Sequence, residues 1–161
     1  MRKDIRHRKK EMSFIILVIL WTAFIWHNSM CPATESSVQS GRVEEFLLPI
    51  LNFLCIPEAM RQFLVRKAAH LTEFAVLGFL WSGALQGKRF CHPLVLSIFT
   101  AIVDEGIQRF VPGRSGEIED VLIDTAGVIA ALVFLWIVKG AMSRWKRKSK
   151  RESGVPDEEK I

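Results

Sequence analysis

Apolar residues fall along this chain in four long runs, 12–30, 68–86, 93–108 and 121–138, separated by polar connections. At ~1.5 Å of rise per residue, each run wound as a helix approaches the ~30 Å hydrocarbon core of a bilayer. The first run holds no Asp, Glu, Lys or Arg, and the next such residue is Glu35. The fourth carries only Asp124 near its start. The second contains His70 and Glu73, and the third Asp104 and Glu105, so these two can cross a membrane only if their charges face inward. The pattern predicts an all-α integral membrane bundle of four transmembrane helices. A soluble helical bundle is the competing reading for runs two and three.

The connection between runs one and two begins polar and then turns amphipathic, in VEEFLLPILNFL and PEAMRQFLVRK. Pro49 and Pro57 are expected to break it. It is too apolar for a free loop and too interrupted for a span, which suggests an extracytoplasmic amphipathic segment lying on the outer leaflet. The connection RFVPGRSGEIED before run four is turn-rich. Ser115 is the expected N-cap there, with Glu117, Glu119 and Asp120 in the first turn, where the helix dipole favours anions. Small residues four apart (Gly78 and Ser82, Ser97 and Ala101, Gly127 and Ala131) would let helices approach closely.

Half of the residues are apolar, yet 22 Lys and Arg stand against 17 Asp and Glu, for a net charge of +5. The excess is not spread evenly. Arg2, Lys3, Arg6, Arg8, Lys9 and Lys10 precede run one, Lys139 to Arg151 follow run four, and Lys88 and Arg89 sit in the turn between runs two and three. Basic residues mark the cytoplasmic side, so both termini are expected there, which requires an even number of crossings. The divisions that follow are a basic cytoplasmic segment 1–11, a membrane domain 12–139 and a cytoplasmic, disordered tail 140–161. Run one reads as an uncleaved anchor, because HNSMCPATE lacks a small-x-small processing site. Attraction to anionic lipid explains the basic clusters, so the partner is the bilayer and not nucleic acid. Three cysteines make no disulfide framework; Cys31 and Cys55 would share the outer side, though small buried thiols are the simpler reading.

With that orientation, His70 and Glu73 open run two, Asp104, Glu105 and Gln108 close run three, and Asp120 and Asp124 open run four. All lie at one level near the outer leaflet. At ~100° per residue, Arg66, His70 and Glu73 share one helix face, and Asp120 and Asp124 share another. Each charge facing lipid near a helix centre would cost up to ~2.5–3.5 kcal/mol. These residues should therefore face one another, or water. One reading is a buried clamp neutralised by Arg66 or Arg114. The acidic excess favours instead a bound divalent cation, shared protons or a cationic substrate group, with Glu73, Asp104, Glu105 and Asp124 as the oxygen ligands. His70 would carry protons or ligate.

The stretches RKAAHLTEFAVLGFL (66–80), DEGIQRFVPGRSGEIEDVLIDTAGV (104–128) and, more weakly, HNSMCPATESSVQSGRV (27–43) resemble the VanZ-like family of bacterial membrane proteins. They cover 57 of 161 residues. The family pattern runs R-K-x-x-H-x-x-E, then D-E-x-x-Q, then P-x-R-x-x-x-x-x-D-x-x-x-N. Here it is occupied by Arg66, Lys67, His70, Glu73, Asp104, Glu105, Gln108, Pro112, Arg114, Asp120 and Asp124. Asp124 departs from the pattern, standing where Asn is common.

The resemblance implies a multi-pass protein of the bacterial plasma membrane and cell envelope. Its founding member is linked to low-level resistance to the glycopeptide teicoplanin, while the family's biochemical activity is not settled. Two functions stay open. In one, His70, Glu73, Asp104 and Glu105 act as acid, base or metal ligands on a lipid-linked or envelope substrate. Arg66, Gln108, Arg114, Asp120 and Asp124 then bind that substrate. In the other, the chain is a non-enzymatic transporter, channel or accessory subunit whose cluster is a clamp or proton site. The scarcity of polar residues in the cytoplasmic halves (Ser82, Ser97 and Thr100) argues against a transport path.

Overall fold

A computed structural model describes residues 2–86 and 90–152 as five helices: α1 (Arg2–Met30), α2 (Ala33–Phe53), α3 (Glu58–Ala84), α4 (Cys91–Gln108) and α5 (Ile118–Glu152). The Lys88–Arg89 turn and the tail beyond 152 lie outside the described residues. The four apolar runs became α1, α3, α4 and α5. Helix α5 continues beyond 138, so the first part of the segment expected to be disordered is helical.

Helix α2 is the main difference from expectation. It runs straight through Pro49, which forgoes one backbone hydrogen bond inside the helix. The chain breaks a turn later, where Cys55 takes φ 54° and the Ile56 N–H reaches back to the Leu51 carbonyl. That is the hydrogen-bond pattern of a left-handed helix terminus, with cysteine in the place glycine usually takes. Pro57 then heads α3, and Arg61 ties the corner through the Asn52 side chain at 2.8 Å and the Ile56 carbonyl.

Helix α3 is central and packs against all four others. Its closest neighbour is α5, and glycine explains the approach. A Cβ on Gly127 would collide with the Leu71 carbonyl oxygen, and one on Gly78 would sit 2.9 Å from Val128. The core beneath is apolar: Val18, Ile25, Phe74, Leu77, Leu80, Ala101, Val128 and Leu132.

The outside is apolar too. Ile16, Leu20, Phe99, Ile102, Val133 and Phe134 are exposed, while Asp104, Glu105, Gln108 and Asp124 are buried. In water that distribution would be costly; facing lipid it is favourable. Within α1 and α5, His7–Met30 and Ile118–Lys150 are long and apolar enough to cross a bilayer. Helices α3 and α4 fall short of that measure because of the polar residues they bring inside. The cysteines are all free, and Cys55 and Cys91 are exposed, which corrects the expectation of buried thiols.

Candidate functional site

Three helices deliver the polar residues to one level because of where each enters the bundle. His70 and Glu73 lie one turn apart on α3. Asp104, Glu105 and Gln108 close α4, and Asp120 and Asp124 open α5 one turn apart. Antiparallel packing then brings the ends together.

At the centre, ligand atoms of His70, Glu105 and Asp124 lie within 4.8 Å of one another. His70 Nδ1 is 3.4 Å from Asp124 Oδ1 without hydrogen-bond geometry, and neither Asp124 oxygen has a hydrogen-bond partner. Asp104 joins through Gln108, whose Nε2 donates to Asp104 Oδ2 at 3.1 Å and to Glu105 Oε1 at 3.3 Å. The other Asp104 oxygen is unpartnered. Asp104 and Asp124 are both fully buried.

Glu73 faces a different neighbour. Its carboxylate accepts a hydrogen bond from Asn28 Nδ2 at 3.1 Å, and its backbone carbonyl accepts one from Trp21 Nε1 at 2.9 Å. Ser29, also buried on α1, lies 3.4 Å from Gln108 Nε2. Helix α1 was read as an uncleaved anchor with no site residue assigned to it, and the structure adds Asn28 and Ser29 to the site. Their signal was in the sequence: HNS interrupts run one at the level where the other helices become polar.

Asp120 stands apart from the central group. It is bonded to Lys67, which also lies 3.9 Å from Glu117. Ser115 does not cap α5; its hydroxyl donates to Glu117 Oε1 at 2.8 Å. The N–H of Glu117 instead donates to Glu105 Oε2 at 2.9 Å, a carboxylate from α4 at the head of α5. Gly116 makes room, since a side chain there would strike the Glu105 carbonyl.

Arg66 and Arg114 line a cavity of about 200 Å³. His70 and Glu73 reach its wall from α3, Asn28 and Ser29 from α1, and Ser36, Gln39 and Ser40 from α2. Arg114 donates to the Asn28 carbonyl at 3.1 Å, while its buried Nε has no partner. Burial and the nearby Arg66 charge both push the Arg114 guanidinium below its ordinary value. A second opening, lined by Lys67 and Glu117, shares Arg66, His70 and Arg114. His70 is thus reached from both sides.

The family described as VanZ/LLP1 matches residues 14–139 of the chain. No curated protein and no solved structure matches it.

Proposed function

The chain belongs to the VanZ/LLP1 family, and from that premise we propose that it is a four-span protein of the bacterial cell envelope. Its site, near the outer leaflet, takes an anionic, lipid-linked substrate. One observation carries the reading: two arginines line a cavity together with His70 and Glu73, and neither makes a salt bridge among the described residues. Paired arginines recognise phosphate well, because the planar fork offers two parallel donors. The exposed apolar residues of α2, Phe46, Ile50 and Phe53, suit the interface from which such a lipid would enter.

In this reading Arg66 and Arg114 hold the head group, Glu73 and His70 face it, and Gln108 fixes Asp104 and Glu105 behind. A role in tolerance to teicoplanin-type drugs follows if the substrate is an envelope lipid or precursor. A clamp role has its own support, since Lys67 and Asp120 satisfy each other and Glu105 holds the α4–α5 loop. The two coexist: the clamp lies to one side of the cavity.

The test is binding of dodecyl phosphate to the full chain in nanodiscs of neutral lipid. The native protein should bind it, and Arg66→Gln/Arg114→Gln should weaken binding ~10–100-fold, the scale of one or two charge-assisted hydrogen bonds. Equal binding by both proteins, or none by either, would refute the reading.

A further inference from the structure

We infer that His70, Glu105 and Asp124 form a binding site for a divalent transition-metal ion. Each ligand comes from a different helix, so the site exists only when α3, α4 and α5 are assembled. The ligand atoms lie within 4.8 Å of one another, a span that one ion at ~2.0–2.2 Å from each donor can bridge with small side-chain adjustments.

Asp124 is fully buried, and both its carboxylate oxygens lack hydrogen-bond partners. His70 Nδ1 faces it at 3.4 Å, within ion-pair distance but without hydrogen-bond geometry. Buried carboxylates cost several kcal/mol each unless something compensates them. Lys67 is bonded to Asp120, and neither Arg66 nor Arg114 makes a salt bridge to Asp124 among the described residues. A dication placed among three donors supplies what the cluster lacks.

The donor set also selects the ion. Imidazole beside two carboxylates favours Zn²⁺ or Mn²⁺ over Mg²⁺ and Ca²⁺, which prefer all-oxygen shells. Three protein ligands leave coordination positions open, as in sites that meet a substrate rather than purely structural ones. His70 lines the cavity of Arg66 and Arg114, so an ion held by it would border that cavity. This deepens the head-group reading of the same site, yet it stands or falls separately: metal content is measured without any lipid phosphate.

The experiment uses the full chain, purified in nanodiscs without chelators or a metal-affinity tag. Metal content is read by mass spectrometry, and thermal unfolding is followed with added Zn²⁺, Mn²⁺, Mg²⁺ or Ca²⁺. Roughly one transition-metal ion per folded chain is expected, and after chelation Zn²⁺ should raise the unfolding temperature where Mg²⁺ does not. Glu105→Gln/Asp124→Leu should weaken Zn²⁺ binding more than ~100-fold, since second-shell changes alone cost ~10–100-fold. The exposed Glu58→Gln should behave as native. Native protein that holds no transition metal and ignores added Zn²⁺ would overturn the inference, whether or not the variants fold. Zn²⁺ binding unchanged in a folded Glu105→Gln/Asp124→Leu variant would overturn it as well.

Discussion

The Glu105 carboxylate on α4 accepts the backbone N–H of Glu117 at 2.9 Å, bridging across the connection that turns the chain into α5. The same carboxylate is within reach of Gln108 at 3.3 Å and belongs to the His70–Asp124 group. One side chain therefore serves both the loop and the site, and substitutions can separate the two roles. In chelated, metal-free protein, Glu105→Gln keeps an oxygen for the Glu117 N–H and should leave thermal stability nearly native. Glu105→Leu leaves that donor unmet and should cost about 1–3 kcal/mol. Equal stability of the two variants in nanodiscs would mean the loop bond carries no weight.

The α3–α5 contact predicts a second asymmetry. Gly127→Ala drives a Cβ into the backbone oxygen of Leu71, which cannot rotate away as a side chain would. Destabilisation of about 1–3 kcal/mol is expected, the usual scale of overpacking. Gly140, with open space around its Cα, should accept alanine with neutral or slightly favourable effect. Thermal unfolding of both variants decides it; a neutral Gly127→Ala would show that the helices part more readily than their packing implies.

Lys67 and Asp120 test the clamp. Removing one partner strands a charge that is mostly buried, while replacing both with apolar groups removes the problem altogether. Asp120→Leu alone should cost about 3 kcal/mol, and Lys67→Met/Asp120→Leu should recover most of it. A double variant no better than the single would place the pair's value elsewhere than in mutual neutralisation.

Much of this arrangement was legible in the sequence. Apolar runs gave α1, α3, α4 and α5, and the orientation read from the basic clusters put His70, Glu73, Asp104, Glu105, Asp120 and Asp124 at one level. What local pattern could not supply was partner choice. Glu73 and Asp104 looked equivalent to the others as ion ligands, but Glu73 is turned toward Asn28 and Asp104 is held by Gln108. Asp120 looked like a site residue and is paired with Lys67. Those outcomes depend on which helices pack side by side. Pro49 misled for a different reason: a proline at an exposed position costs a helix one bond, and packing of α2 against α3 offsets that.

The four-span reading predicts topology. Reporter fusions at Ile161 and within 36–42 should report opposite sides of the membrane, with 161 cytoplasmic. The same side for both would refute the four-span reading.

The envelope reading predicts a drug profile. Expression should raise tolerance to lipid-bearing glycopeptides more than to vancomycin, because a lipid chain holds the former at the surface where the site is proposed. A Glu73→Ala variant at equal membrane level should lose the effect. Susceptibility unchanged by the native chain would remove resistance from its functions without touching the site.

In the proposed function the cavity under α2 opens to the extracytoplasmic face and receives a lipid phosphate. Ser40 lines that cavity and is half-buried, so it reports on both points. In a chain with Cys31, Cys55 and Cys91 replaced by serine, Ser40→Cys would be labelled with a membrane-impermeant maleimide in intact cells, and again in nanodiscs with and without dodecyl phosphate. The account predicts labelling from outside the intact cell, slowed several-fold when the lipid phosphate is present. Labelling only after the membrane is broken, or at the same rate with and without the lipid, would contradict it.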